Sequence, residues 1–110
     1  MKLLKIIIRN EKFEEVKESL TAIHVTGMTV TEVRGHGRQK GHKAVYRGTE
    51  YNVTLLPKIM IEVVVSNEML DDAVKTVIES GRTGEIGDGR VFVFTVEQGY
   101  HIRSGERDVV

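Results

Sequence analysis

Residues 6–20, IIIRNEKFEEVKESL, and residues 63–77, VVVSNEMLDDAVKTV, repeat one pattern within the chain. Each copy begins with three β-branched residues, which favour a strand, and continues with apolar residues at helical spacing. The first predicted helix carries Phe13, Val16 and Leu20 on one face. The stripe of the second helix consists of Leu70, Ala73, Val74, Val77 and Ile78. We therefore expect two strand–helix units.

The remaining signals extend these units into one fold. The predicted strands are residues 3–8, 29–33, 59–65 and 90–96. Asn67 is a favourable N-cap for the second helix, and Gly81 is typical of a residue that ends one. The order β-α-β, β-α-β within one small chain predicts an α+β fold of the ferredoxin-like split βαβ type.

The central strands lack alternation between apolar and polar residues. Residues 6–8 and 63–65 are uninterrupted apolar runs, which indicates that both faces of the sheet are buried. Because two helices cover only one face, we expect a second subunit on the other and predict a homo-oligomer. The alternative is that these runs reflect β propensity alone.

Composition narrows the class of protein. The chain has 110 residues with 16 basic and 16 acidic side chains, so its formal net charge is zero, and we predict a single domain over residues 1–110. Zero net charge argues against a nucleic-acid-binding protein. With no cysteine, disulfides and thiol catalysis are excluded. No apolar run is long enough for a membrane span or signal peptide, so we expect a cytoplasmic protein.

The segment 37–55 is long for a connection in a compact domain and is basic. The charged side chains between residues 34 and 49 are Arg34, Arg38, Lys40, Lys43 and Arg47, with no acid among them. Interspersed glycines allow backbone N–H groups to approach an anion, and the cations neutralise it. The pattern therefore favours an anion-binding loop, and the alternative is a mobile, solvated basic loop. Tyr46 and Tyr51 add hydroxyl groups that a partner or an enzyme could use.

Two further segments carry glycine or cations. Residues 82–90 contain three glycines between Arg82 and Arg90, which predicts a phosphate-binding surface; an ordinary turn is the alternative. This cluster lacks the lysine–serine/threonine ending of a P-loop. The segment 100–110 supplies more cations, although a frayed tail is its default interpretation.

Five motifs in sequence order resemble the PII nitrogen-regulatory signal-transduction family. They are residues 27–33 (GMTVTEV), 37–42 (GRQKGH), 46–51 (YRGTEY), 56–58 (LPK) and 83–93 (TGEIGDGRVFV). The resemblance covers residues 3–108 and implies a ferredoxin-like homotrimer in which ATP or ADP lies between subunits. The nucleotide contacts that it implies are Thr29, Gly35, Gly37, Arg38, Gln39, Lys58, Glu62, Val64, Gly87, Asp88, Gly89, Arg90 and Arg103.

The same resemblance implies a second ligand and a modification. 2-Oxoglutarate would bind with Mg²⁺ against the ATP phosphates, with Gln39 as the side-chain metal ligand and Lys58 as the carboxylate partner. Arg38, Lys40 and Gly41 would complete the 2-oxoglutarate site. Tyr51 corresponds to the position that is uridylylated in some members, and Thr49 to a position that is phosphorylated in others.

The resemblance implies a sensor that is not an enzyme. Its partners would be an ammonium transporter, a nitrogen-assimilation enzyme or a uridylyltransferase, so that a membrane would be met only through the transporter. One alternative is a small phosphatase or phosphotransferase, for which Asp88 and Glu62 are the candidate catalytic groups. Another is an RNA-binding sheet, but Phe92 and Phe94 lie two residues apart, as expected of core residues.

The chain departs from the family pattern at a few positions. His36, Arg90 and His101 replace an apolar or aromatic residue, a lysine and an arginine, and Asn10 replaces a proline. Arg90 keeps a positive charge with a different geometry. His101 is expected to weaken ATP binding or make it depend on pH near neutrality.

Overall fold

The two strand–helix units form where the repeated pattern predicts them. The computed structural model describes residues 1–36, 42–46, 49–53 and 55–108. Within these residues the helices are α1 (Phe13–Ala22), preceded by a 3₁₀ turn, and α2 (Leu70–Gly81). The strands are β1 (Lys2–Arg9), β2 (Met28–Gly35), β3 (His42–Tyr46), β4 (Thr49–Val53), β5 (Leu56–Val65) and β6 (Gly89–Thr95). The helices of the described residues, 10 and 12 residues long, are too short to cross a bilayer.

Four strands form one antiparallel sheet in the order β2-β5-β1-β6. Both helices cover the same face of this sheet and pack against each other. Cross-strand pairs such as Ile6–Ile61 and Leu4–Val63 place apolar residues side by side beneath the two helices. The α+β, ferredoxin-like prediction is confirmed.

Burial alternates along the central strands, which the uninterrupted apolar runs did not predict. On the helix-covered face, Leu4, Ile6 and Ile61 are fully buried. Phe92 and Phe94 are 41% and 46% exposed, so the expectation that they lie in the core of the chain is wrong. Phe94 lies opposite Leu3 and Phe92 opposite Lys5 on the face that the helices do not cover. We call this surface the open face; its apolar residues are Leu3, Ile7, Met60, Val64, Phe92 and Phe94, and the Lys5–Glu62 pair crosses it.

Two local predictions need correction. The hydroxyl oxygen of Ser66, rather than Asn67, accepts a hydrogen bond from the N–H of Met69 at the start of α2 (3.2 Å). Asn67 instead accepts one from the amino group of Met1, also at 3.2 Å. β5 begins at Leu56 rather than residue 59, because Leu56 and Pro57 pair with Gly35 and Arg34 of β2 before the pairing with β1 begins.

The long basic connection contains regular structure. β3 and β4 pair antiparallel with each other as a separate two-stranded sheet, with Tyr46 opposite Thr49. The sequence predicted this segment as a loop without strands, since its apolar periodicity is weak. The hairpin is therefore an addition to the split βαβ plan.

Candidate functional site

Residues 83–89, which we call the glycine loop, join α2 to β6 and contain three glycines with positive φ. Gly84, Gly87 and Gly89 have φ values of 90°, 103° and 107°, a region that favours glycine. A Cβ on Gly89 would lie 1.7 Å from the backbone oxygen of Ile7, so a side chain cannot fit there. Within the described residues, the N–H groups of Ile86 and Gly87 have no hydrogen-bond acceptor. The loop therefore combines close backbone approach with available donors, as anion sites require.

Asp88 holds the glycine loop in shape. Its carboxylate accepts hydrogen bonds from the backbone N–H groups of Thr83 and Gly84, each at 2.9 Å, and from the hydroxyl of Thr83. Arg9 Nε donates a further bond at 3.0 Å. Burial by itself would raise the pKa of Asp88, but the hydrogen bonds from Thr83, Arg9 and Gly84 hold that pKa well below its ordinary value. The carboxylate is thus an ionised anchor within the loop.

Arg9 is a site residue that the sequence reasoning missed. Besides its ion pair with Asp88, it donates to the backbone oxygen of Ile86 at 3.0 Å, and its side chain is only 15% exposed. β1 and β6 are antiparallel neighbours, so the end of β1 lies beside the start of β6. The strand order of the split βαβ plan could have revealed Arg9, because it places the end of β1 beside the loop that leads into β6.

Lys58 lies beneath the same loop from β5. It is 9% exposed and donates to the backbone oxygen of Gly87 at 2.6 Å. Burial lowers the pKa of Lys58, and the nearby positive charge of Arg9 lowers it further. Gly35 lies against the stem of Lys58, because a Cβ built on it would approach Lys58 Cγ to 3.3 Å.

The structure therefore brings many predicted nucleotide contacts to one end of the sheet. Arg90 joins them as the residue opposite Ile7 at the start of β6. We call this group the loop half-site; it consists of Gly35, Lys58, Gly87, Asp88, Gly89 and Arg90. Its donors and cations suit phosphate oxygens.

A second group lies at the other end of the sheet. Thr29 and Glu62 are paired across β2 and β5, and Val64 follows on β5. These three residues, which we call the cleft half-site, line an open cleft of about 670 Å³ together with Asp108. The segment carrying Arg103 lies at this end, because Val96 bonds to Met1 and Asp108 to Gly99, and Arg103 itself is exposed.

The two half-sites are far apart within one chain. Thr29 and Gly35 are six positions apart on β2, about 20 Å, and Lys58 and Glu62 are four positions apart on β5, about 13 Å. No single phosphate group can contact both ends. Gly37, Arg38, Gln39, Lys40 and Gly41, which were predicted to hold nucleotide, metal and 2-oxoglutarate, lie outside the described residues.

Other predicted positions have more limited descriptions. Thr49 and Tyr51 lie on β4, and their side chains are outside the described part of the chain. His101 Nε2 lies 3.6 Å from Asp108 Oδ1, so a protonated His101 would pair with a carboxylate of the cleft. The described residues hold no cluster of His, Asp and Glu that fits a metal ion.

Comparison with known proteins decides the family. The family described as "Nitrogen regulatory protein P-II" matches residues 1–106. The chain belongs to the P-II family. The match covers both half-sites and the whole four-stranded sheet, so the resemblance noted in the five motifs is confirmed.

Three P-II relatives show the extent of the similarity. The chain is 52% identical to "Nitrogen regulatory protein P-II" of Rhizobium etli and 50% identical to that of Haemophilus influenzae. It is 51% identical to "Nitrogen regulatory protein P-II 1" of Escherichia coli. Each comparison spans 108 residues, covering 98% of this chain and 96% of the relative. These names denote regulatory proteins rather than enzymes, which confirms the expectation of a regulatory role.

Proposed function

We propose that the protein is a sensor of nitrogen, carbon and energy status that binds ATP or ADP together with 2-oxoglutarate. The P-II family supplies the regulatory role, and the two half-sites supply the chemistry. The observation that carries the proposal is the glycine loop, whose donors are backed by Arg9 and Lys58. Bound nucleotide would alter the segment 37–55, and partner proteins would respond to that change.

Phosphate binding follows from the charge and backbone of the loop half-site. The N–H groups of Ile86 and Gly87, together with Arg90, offer donors to phosphate oxygens. A hydrogen bond to a charged phosphate contributes about 1.5–3 kcal/mol. Asp88 does not oppose the anion strongly, since its own charge is compensated by Arg9 and the Thr83 donors.

The nucleotide site is incomplete in one chain. The loop half-site and the cleft half-site are about 20 Å apart along β2 and about 13 Å apart along β5, so groups that bind one end of a nucleotide cannot also bind the other. A second copy, placing its cleft beside the first copy's glycine loop, would complete the site. The open face, on which the half-exposed Phe92 and Phe94 and other apolar residues surround the Lys5–Glu62 pair, is suited to burial between copies. A homotrimer is the closed assembly that we propose.

2-Oxoglutarate binding would use Lys58. Its buried ammonium suits a carboxylate, and its present bond to the backbone oxygen of Gly87 would compete with that carboxylate. The acid site and the phosphate loop therefore share one side chain. Mg²⁺ would join the ligands through phosphate and acid oxygens with Gln39 as the protein ligand, since this ion keeps few protein ligands.

Regulation would follow from the difference in ligand affinity between conformations of the segment 37–55. A ligand shifts such an equilibrium only by its differential affinity for the states. We propose a cytoplasmic protein whose partner is an ammonium transporter or a nitrogen-assimilation enzyme. A uridylyltransferase acting on Tyr51 would add a second control, with phosphorylation of Thr49 as the less favoured modification.

Calorimetric titration tests the proposal. ATP and ADP should bind the wild-type protein, and 2-oxoglutarate should bind far more tightly once Mg-ATP is present. Arg90→Glu should abolish ATP binding, whereas Lys75→Met, which alters an exposed lysine of α2, should leave it unchanged. Equal affinity for 2-oxoglutarate with and without Mg-ATP would contradict the proposed coupling.

A further inference from the structure

His24 has a backbone conformation that favours glycine. It follows α1 with a φ of 68°, and every other described residue with a positive φ is a glycine. Its N–H bonds to the backbone oxygen of Thr21 at 2.9 Å, as expected at the end of a helix. An observed outlier of this kind is a reason to ask what the side chain does.

His24 lies at the cleft half-site. His24 lines the same cleft as Thr29 and Glu62, and it is exposed. Among the described residues its side chain has no hydrogen-bond or ion-pair partner. A neutral imidazole offers one donor and one acceptor, so both are available to a ligand.

Charge indicates which part of a nucleotide this cleft receives. Glu62 and Asp108 place two carboxylates on its wall, which disfavour a phosphate group. The partly buried cations Arg9 and Lys58 and the free N–H groups lie instead at the loop half-site, whereas Arg103 at the cleft end is exposed. The cleft is therefore suited to the uncharged nucleoside, whose amino and hydroxyl groups can donate to carboxylates.

We propose that His24 is a nucleotide-binding residue that contacts the nucleobase of the bound nucleotide. The proposal rests on the proposed function and adds one contact to it. The residue that makes the contact has a backbone conformation that glycine would adopt with less strain. The retained imidazole gives the cleft a polar group that glycine lacks. Its contribution concerns the nucleoside and is independent of the number of phosphates.

The test compares nucleotide affinity with folding stability in His24→Gly. ATP and ADP should each bind about 3- to 10-fold more weakly, the equivalent of one hydrogen bond, and by the same factor. The midpoint of thermal unfolding should stay unchanged or rise, because glycine relieves the strained φ. His24→Asn, whose side chain also tolerates this region and keeps a donor and an acceptor, should fold and lose less affinity than His24→Gly.

The outcomes separate this inference from the proposed function. Wild-type affinity in both variants would overturn the role of His24 while leaving nucleotide binding intact. A loss confined to ATP would also overturn it, since that result places His24 at the phosphates. If wild-type protein binds neither nucleotide, the proposed function itself fails, together with the inference.

Discussion

Arg9 Nε lies 3.0 Å from Asp88 Oδ1, which ties the end of β1 to a loop 79 residues later in the chain. The guanidinium also reaches the backbone oxygen of Ile86. The end of β1 and the loop that precedes β6 thus share one charged contact at the end of the sheet that carries the loop half-site. The conformation of the glycine loop depends on both β1 and β6.

Removing the arginine should therefore weaken both the fold and the site. Arg9→Met should lower the free energy of unfolding by about 1–3 kcal/mol, because Asp88 loses a charged donor in a partly buried place. Arg9→Lys should lower the free energy of unfolding by less than Arg9→Met, because the ammonium keeps the positive charge. Some loss should remain, since an ammonium cannot make both bonds with the same geometry. Urea denaturation measures both, and Lys75→Met, an exposed control, should change stability by under about 0.5 kcal/mol. A loss in Arg9→Met no larger than in this control would contradict the anchoring role.

The depressed pKa of Asp88 predicts an acid-sensitive contribution to stability. A carboxyl group with a lowered folded-state pKa stabilises the fold above its unfolded pKa, about 4, and loses this contribution as pH falls toward the folded value. Asp88→Asn should be less stable at neutral pH and show a weaker decline below about pH 4. Stability curves from urea denaturation between pH 7 and pH 2 check this. Parallel curves for the two proteins would show that Asp88 is not the titrating group.

Two glycines of one loop offer a matched comparison. Gly84 and Gly89 both have positive φ, but only the Cβ of an alanine at position 89 would collide with backbone, at 1.7 Å from the Ile7 oxygen. Gly84→Ala should cost about 1–2 kcal/mol from conformation alone. Gly89→Ala should cost well over 3 kcal/mol, because strand β1 must move. Similar unfolding midpoints for the two variants would refute the close approach at Gly89.

The open face should carry the contact between copies. Phe94→Glu should lower the mass in solution, since it removes an apolar ring from this face and places a second charged group beside Lys5. Ile78→Glu changes a residue on α2 with nearly the same exposure, 43% against 46%, and should leave the mass unchanged. Sedimentation of wild type and both variants measures this. An assembled Phe94→Glu protein would place the contact on another surface.

The fold was largely predictable because its signal is local. Strand–helix periodicity located α2 and the central strands to within a few residues, and Gly81 ended the helix as expected. Alternate burial was not predictable, since isoleucine and valine have strong β propensity at exposed and buried positions alike. Phe92 shows this limit: it is half exposed because it lies on the face of the sheet that the helices do not cover. Its local sequence does not indicate which face that is.

The part of the candidate site formed by one continuous motif was predictable, and the parts formed by residues distant in sequence were not. The glycine pattern of residues 83–89 identified the loop directly. Arg9 and His24 escaped notice, because an ion pair across 79 residues and a positive φ at a histidine leave no local pattern. Their roles follow only from the three-dimensional arrangement.

The central claim, a nucleotide site shared by two copies, is tested most directly by mixing two defective chains. Arg90→Glu damages the loop half-site and Thr29→Phe fills the cleft half-site, so neither protein should bind ATP by itself. When the two are co-expressed and purified together through different tags, only mixed trimers remain, and each should contain one intact interface of three. Calorimetry should then detect ATP binding at that fraction. ATP binding by either variant alone, or none in the mixed assembly, would contradict a site built between copies.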